Sequence, residues 1–425
     1  AVSEDLVYWE DLPIAIYPDP EKECFSGSTF VEKDRVIAIY HGTQVGNMIA
    51  ISSDPLLLNW EKMPNNPVIP MNEPDAEGKP YRVYDPCIWR EKDGYYSLSG
   101  TYWKGNIFDD CEMVQHLFFS KDLSQWTYIG PFVEGGKFTN PGEDGAVPYF
   151  WPIGDRHILV FASHMHGSQY LLGDYNSQDN IFHPSSHGRF NFGPSRGGGV
   201  HAPSATPDGE GGLYVINNIN DGKPTEGWDH IMSLVRRLQL KSDGALGIEP
   251  GAPYEKLRKS HVSVDSITLP ANEDIHISKA RGNAIELLVS IDTCQSREVS
   301  IDVLRSRNGE ERTTIRFLKQ GHVYRPYDKR STRTSKPLPR DALVIDTGRS
   351  SLHKDVVPRP PEIAPFDLPQ GELLQLRIFV DKSVVEVFAN GTQCAAVRVY
   401  PSLPDSQGVS LCSYGDKSYL KNMDV

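Results

Sequence analysis

The sequence predicts an all-β protein in which a β-propeller is followed by a β-sandwich. Gly (36) and Pro (32) are abundant, and runs of aromatic and β-branched residues are bounded by turn residues, a pattern typical of strands. A repeat of roughly 60 residues indicates the blades of a propeller. The chain has 425 residues, more than one hydrophobic core usually organises, which agrees with two large β units.

Each repeat contains a strand, a turn, a returning strand, a third strand and a Trp-bearing edge motif. The turns that signal the hairpins are at 32–35, 91–94, 153–156 and 208–211. The edge motif, Ser-x-Asp-Leu-x-x-Trp or a close variant, occurs at 3–9, 53–60 and 120–126. First strands begin near Phe25, Asp85, Ala146 and His201. The repeat therefore predicts four complete blades.

Residues 1–9 form the closing motif of one more blade. Extrapolation of the period puts the first strand of that blade roughly 30 to 40 residues before Ala1. We therefore expect a five-bladed propeller whose first blade is incomplete in this chain.

The repeat stops after Leu240, and a Gly/Pro-rich stretch at 247–253 is typical of a linker. From about Ser260 the sequence shows alternating strands at a different spacing, which predict a β-sandwich. The expected domains are a propeller at 1–246, a linker at 247–259 and a sandwich at 260–425.

Composition excludes several classes of function. The formal charge is -13, and no Lys/Arg-rich stripe follows a phosphate backbone, so nucleic acid is not an expected partner. No apolar run approaches the ~18 residues of a membrane-spanning helix. Six cysteines are scattered without CxxC pairs, which favours buried or incidental thiols. A sequon at 390–392 slightly favours a secreted or periplasmic protein, and the oligomeric state is left open.

The starts of the inner strands are where chemistry is expected, because these strands line the central channel of a propeller. Asp85 and Glu143 each precede an apolar strand at comparable points of the repeat. Paired carboxylates around a neutral polar pocket are what glycoside hydrolysis requires. The sequence therefore predicts a site for a neutral carbohydrate.

Three motifs resemble the glycoside hydrolase family 32 fructosidases, which include invertases, inulinases and levanases. Residues 25–28 match the family motif FSGS, and 6–18 resemble the stretch DLVHWEHLPIALYP that leads into it. In the predicted sandwich, 376–388 are close to the family signature LRIFVDRSSVEVF. The resemblance implies a five-bladed propeller joined to a sandwich, and retaining hydrolysis of β-fructosyl linkages in sucrose, inulin or levan without a metal or an organic cofactor.

The resemblance also implies roles for individual residues. Asp85 corresponds to the aspartate of the family's Arg-Asp-Pro motif, which stabilises the transition state, and Tyr84 replaces the arginine of that motif. Arg82 lies two residues earlier on the same strand face and is a candidate substitute. Phe25, Ser26 and His201 are expected to help shape the fructose pocket.

Alignment with the family's Glu-Cys-Pro motif puts Ala146 where the acid/base glutamate is expected. We take Glu143 as the acid/base and Asp144 as the alternative. The family nucleophile belongs to a Trp-Met-Asn-Asp-Pro-Asn-Gly motif, which is expected in a segment before Ala1.

Two other classes of function stay open at this point. A catalytically silent glycan-binding protein would result if the nucleophile were absent, and an arabinan- or xylan-active enzyme is a further alternative. A fructosyltransferase would differ from the hydrolase only in the acceptor. His164 and His166 are expected to share one face of a strand, where structural or sugar-contacting roles are favoured over metal binding because no third ligand is evident.

Overall fold

The computed structural model describes residues 1–72, 81–101, 114–134, 138, 143–320 and 340–425. They form an almost purely β structure, with 31 strands and one 3₁₀ turn, Tyr254–Leu257. No helix in these ranges is long and apolar enough to cross a membrane. Cα packing divides the chain into two compact units, which are 1–189 with 202–215 and 190–201 with 216–425.

The first antiparallel sheet follows from the hairpin predicted around the 32–35 turn. Its strands are β1 (Cys24–Val31), β2 (Val36–Gly42), β3 (Gly46–Ser52), β4 (Glu61–Lys62) and β5 (Ile69–Pro70). The order is β1-β2-β3-β4, and β5 pairs with β3. β2 and β3 are buried along nearly their whole length, as expected for the inner strands of a sheet covered on both faces.

Two further antiparallel sheets are built in the same way, with each strand next to the one that follows it in the chain. The second contains β6 (Val83–Arg90), β7 (Tyr95–Thr101), β8 (Val114–Ser120) and β9 (Thr127–Pro131). The third contains β10 (Ala146–Ile153), β11 (Arg156–Ser163), β12 (Gly167–Asn176) and β13 (Ile181–Arg189). Each runs in simple sequential order, so the strands predicted from the repeat are confirmed in these two sheets.

Aromatic packing joins the second and third sheets. Phe150 of β10 lies with its ring centroid 5.4 Å from Trp89 of β6 and 4.8 Å from Phe132. All three side chains are at least nine-tenths buried. Large rings in edge-to-face and tilted contact fix the spacing of the two inner strands, β6 and β10, which carry the candidate site.

The fourth sheet contains β14 (Val200–Pro207), β15 (Leu213–Ile219), β16 (Ile231–Met232), β17 (Arg236–Leu240) and β18 (Leu246–Pro250). Its order is β14-β15-β17-β18, with β16 paired to β15. The boundary between the two compact units runs through β14 and β15. Since β18 reaches Pro250, the range expected to be a linker begins with a strand.

The remaining strands form two stacked antiparallel sheets. The strands are β19 (Ser263–Val264), β20 (Ile267–Leu269), β21 (Ile275–Arg281), β22 (Ala284–Asp292), β23 (Glu298–Arg305), β24 (Thr313–Leu318), β25 (Ala342–Asp346), β26 (Glu362–Pro365), β27 (Leu374–Asp381), β28 (Val384–Ala389), β29 (Gln393–Arg398), β30 (Gly408–Tyr414) and β31 (Ser418–Asp424).

One sheet has the order β19-β31-β22-β27-β28-β29, with β20 paired to β31, and the other has the order β21-β30-β23-β24-β25-β26. Alternating apolar side chains from both sheets, such as Ile301, Ile378 and Val387, form one buried core. The predicted sandwich strands are therefore confirmed.

The described cysteines are free thiols. Cys87, Cys394 and Cys412 are buried, whereas Cys24 and Cys294 are partly exposed. Cys111 lies outside the described residues.

Candidate active site

A backbone irregularity recurs where three inner strands begin. The ladders slip between Cys24 and Gly27 in β1, between Tyr84 and Pro86 in β6, and between Ala146 and Tyr149 in β10. β-bulges of this kind bend a strand and redirect a side chain. They lie at the strand ends where the sequence predicts the site.

Three residues at comparable points have left-handed backbone angles. Asp85, Val147 and Ala202 have φ values of 43°, 44° and 36°, and each precedes a proline. Such angles are strained for residues other than glycine, above all for β-branched valine. Strain of this kind is retained where the surrounding structure demands it, and functional sites are such places.

Asp85 is the carboxylate that this conformation positions. Its side chain is largely buried, and Oδ2 accepts the backbone N–H of Val147 at 3.3 Å. Burial is the largest influence and raises the pKa of Asp85 to about 6. The Val147 hydrogen bond and the charge of His164 act against that increase, whereas the charge of Asp144 adds to it.

Glu143 has a different environment. It is fully buried, and its Oε1 lies 3.0 Å from Gln169 Nε2, 3.0 Å from His166 Nδ1 and 3.2 Å from Arg189 Nη2. Burial alone would raise the pKa of Glu143, but the hydrogen bonds from His166 and Gln169 and the charge of Arg189 lower it below its ordinary value. The surroundings of Glu143 therefore favour an ionised carboxylate.

Asp144 binds His164 through two contacts. Oδ1 accepts the backbone N–H of His164 at 3.0 Å, and Oδ2 lies 2.6 Å from the ring nitrogen Nδ1. The Asp144 side chain is 1% exposed and that of His164 is 41% exposed. A buried carboxylate thus holds an imidazole ring that reaches solvent.

Tyr84 and Arg82 have distinct surroundings. The buried Tyr84 hydroxyl donates to the carbonyl oxygen of Asp144, and its ring covers Gly100, where a Cβ would lie 2.7 Å from Cζ. Arg82 is partly buried, and its charge helps to lower the pKa of His41, although burial of His41 is the larger cause. Tyr84 therefore joins the β6 strand to the loop before β10, and Arg82 lies near His41.

The residues expected to line the sugar pocket lie on two strands. Phe25 is 55% exposed and Ser26 is also exposed, both within the bulge of β1. His201 is partly buried as the second residue of β14. His201 belongs to the second compact unit, 190–201 with 216–425.

Sequence reasoning missed the groups that surround the two acids. Gln169 and Arg189 lie on β12 and β13, and they reach Glu143 from 26 and 46 residues away. The expectation that His164 and His166 share a strand face is wrong, because both lie in the turn between β11 and β12. Each contacts a different carboxylate there, Asp144 and Glu143 respectively.

Within the described ranges, no three His, Cys, Asp or Glu side chains are arranged to hold a metal ion. Each of the two histidines lies next to a carboxylate, an arrangement suited to hydrogen bonding and proton transfer.

Comparison with known proteins assigns the chain to a family. The model of the glycosyl hydrolases family 32 N-terminal domain matches residues 1–250, and that of the family 32 C-terminal domain matches 253–425. The chain belongs to glycosyl hydrolase family 32. The family predicted from three short motifs is thereby confirmed.

The relatives of this family 32 chain are distant in sequence, but they align with it along most of its length. A sucrose-6-phosphate hydrolase from Escherichia coli is 26% identical over 98% of this chain and 84% of its own. A β-fructofuranosidase, insoluble isoenzyme 4, from Oryza sativa subsp. japonica is 26% identical over 95% of this chain and 76% of its own.

A solved structure supports the family 32 fold. Fructan 1-exohydrolase IIa from Cichorium intybus, in complex with 1-kestose, superimposes with a TM-score of 0.81 at 19% identity, over 99% of this chain and 87% of that one. The predicted fold class, a β-propeller followed by a β-sandwich, is confirmed.

The position that the sequence resemblance aligns with the family's acid/base glutamate carries an alanine. Ala146, where the acid/base glutamate is expected, is 2% exposed and carries no titratable group. The nearest acids are Glu143 and Asp144, which lie in the segment just before β10. Glu143, Asp144 and the side chains that contact them are therefore the candidate proton-transfer groups of the site.

Proposed function

We propose that this chain is a glycoside hydrolase that cleaves β-fructofuranosyl linkages in sucrose or in fructans of the inulin or levan type. Membership of family 32 over both halves of the chain supports this reading. The names of its relatives support it as well, because they act on sucrose 6-phosphate, β-fructofuranosides or fructans.

The observation that carries the proposal is the position of Asp85. A largely buried carboxylate at the bulge of β6 suits the stabilisation of a positively charged, oxocarbenium-like fructosyl group. In a buried site of low polarity, a fixed negative charge interacts more strongly with developing positive charge than it would in water. Asp85 must be ionised for this role.

We further propose that hydrolysis is a retaining double displacement. A carboxylate would attack the anomeric carbon, and a proton donor would assist the leaving oxygen, as in other retaining glycosidases. Glu143 and Asp144 are the acids that the sequence offers near the donor position. Phe25, Ser26, Tyr84 and Arg82 are proposed to shape the sugar site, and His201 stays a sequence-based proposal for a sugar contact.

The test is fructose release from sucrose, inulin and levan by the full natural protein. Wild type is expected to release fructose from at least one of them, and Asp85→Asn is expected to lose about 10³-fold or more in kcat/KM through loss of charge stabilisation. Asp174→Asn, at a 74% exposed aspartate in β12, is the matched control and should keep wild-type activity.

A second candidate function is carbohydrate binding without hydrolysis. The alanine at position 146 favours it, because the family's proton donor is missing there. Binding of fructans with no fructose released by wild type would establish this candidate and overturn the hydrolase. Fructosyl transfer would appear as longer oligosaccharides formed at high sucrose concentration.

A further inference from the structure

The methyl group of Ala146 cannot supply the proton that a leaving sugar alcohol needs. Glu143, three residues earlier, faces three donors, including the guanidinium of Arg189. A carboxylate held in this way is a poor proton donor, because protonation would forfeit those charge-assisted contacts. The site therefore calls for another acid near Asp85.

His164 has the geometry of such a group. Asp144 contacts both its backbone N–H and its ring Nδ1, so the orientation of the ring is fixed by one buried carboxylate. With Nδ1 facing Asp144, Nε2 is directed to the opposite side of the ring. A buried aspartate that orients an accessible histidine and stabilises its protonated form is the arrangement used for proton transfer in hydrolytic triads.

The pair is connected to Asp85 through the backbone. Tyr84, which precedes Asp85, donates its hydroxyl hydrogen to the carbonyl oxygen of Asp144. Val147, three residues after Asp144, donates its N–H to Asp85. The charges of both His164 and Asp144 influence the pKa of Asp85, so the pair lies within electrostatic range of that carboxylate.

The neighbouring pair of His166 and Glu143 is less suited to this task. The charge of Glu143 is already balanced by Arg189, and Gln169 binds the same oxygen. The side chain of His166 is also less exposed, at 31%, than that of His164, at 41%. The structure thus favours His164 over His166.

We propose that His164, positioned by Asp144, is the general acid/base of this enzyme in place of the family's glutamate. As the carboxylate nucleophile proposed above bonds to fructosyl C2, the bond between C2 and the glycosidic oxygen breaks, and its electron pair moves to that oxygen, which takes the Nε2 proton and leaves as a neutral alcohol. When water attacks C2 in the second displacement, the bond between C2 and the carboxylate oxygen breaks and its electron pair returns to the carboxylate, while the water oxygen bonds to C2 and one water proton returns to Nε2. This inference rests on the proposed hydrolysis of fructosides.

The test compares two substrates whose leaving groups differ in how much they need a proton from the enzyme. An alkoxide leaving from sucrose needs general acid assistance, whereas 4-nitrophenolate leaving from 4-nitrophenyl β-fructofuranoside hardly does. In the full natural protein, His164→Ala should lower kcat/KM for sucrose by about 10² to 10⁴-fold and that for the aryl fructoside by less than about tenfold. Asp144→Asn should show the same selectivity with a smaller loss.

Controls separate catalysis from folding. His183→Ala changes an exposed histidine of β13 and should leave both rates unchanged. Circular dichroism and thermal unfolding of each variant establish that it is folded. Added imidazole or formate should partly restore sucrose cleavage by His164→Ala, which a merely structural role would not allow.

Several outcomes would overturn the inference. These are unchanged sucrose cleavage in His164→Ala, an equal loss on both substrates in a folded variant, or the selective loss appearing in Glu143→Gln instead. In each of these cases the hydrolase itself stands, because wild type is active. A wild type that releases no fructose from sucrose, inulin, levan or the aryl fructoside would overturn the proposed function and this inference together.

Discussion

Asp85 accepts a hydrogen bond from the N–H of Val147, the residue that occupies the same left-handed, proline-preceding position in the next sheet. The contact joins the inner strands β6 and β10 at 3.3 Å. It also fixes a carboxylate where burial makes its charge costly. The role proposed for Asp85 therefore opposes the stability of the fold at this residue.

The first prediction is that Asp85→Asn stabilises the protein at neutral pH. The pKa of Asp85 is about 6 in the folded protein and about 4 in an unfolded chain. The folded state therefore binds the proton more tightly, and stability falls as pH rises from about 4 to 6. Removing the charge should raise the free energy of unfolding by about 3 kcal/mol at most at pH 7.5, and should change it little at pH 4.

Chemical denaturation of both proteins at the two pH values measures this difference. Asp174→Asn, at an exposed site, should show no such pH-dependent gain. An increase in the free energy of unfolding of Asp85→Asn that is the same at pH 4 and pH 7.5 would contradict the prediction.

The second prediction concerns the acid limb of the activity profile. If the ionised Asp85 stabilises the sugar cation, kcat/KM should fall about tenfold per pH unit below pH 6, as this carboxylate is protonated. The residual activity of Asp85→Asn should lack that limb. A wild-type profile that stays flat down to pH 4 would show that Asp85 acts in another way or titrates lower.

The third prediction explains the glycine of the Phe-Ser-Gly-Ser motif. A Cβ on Gly27 would lie 2.0 Å from the carbonyl oxygen of Ile39, which is backbone and cannot yield. Gly27→Ala should therefore destabilise the protein by about 1 to 3 kcal/mol through overpacking. Thr29→Ala, at an exposed position of the same strand, is the control, and equal unfolding midpoints for the two variants would refute the explanation.

The fourth prediction concerns a buried ion pair. Arg236 and Glu386 are joined at 3.1 Å, with side chains 0% and 2% exposed, and Glu386 also accepts the N–H of Leu234. Glu386→Leu alone should cost about 3 to 5 kcal/mol because it leaves a buried guanidinium without its counter-charge. The double change Arg236→Met with Glu386→Leu should recover most of that loss.

A thermodynamic cycle from urea unfolding of the two single variants and the double variant measures the coupling. Purely additive effects of the two substitutions would mean that the pair contributes no net interaction energy.

Much of the fold could be read from the sequence because its signals are local. The hairpin turns predicted at 32–35, 91–94 and 153–156 lie where β2, β7 and β11 begin. Asp85 was found because it directly precedes an apolar strand in a repeat. The chemistry around it was less accessible, since the contact between Asp144 and His164 joins residues 20 apart across a sheet. Likewise, the sequence does not show whether Glu143 is a proton donor or an ionised partner of Arg189, because Arg189 lies 46 residues away in the chain.

The left-handed backbone angle shared by three strand starts is independent of the side chain found there. Asp85, Val147 and Ala202 have nearly the same conformation with three unrelated side chains. A single codon change at one of these points can add or remove a functional group while the sheet persists. A library that randomises only these three positions would therefore test which side chains this backbone conformation accepts without loss of the sheet.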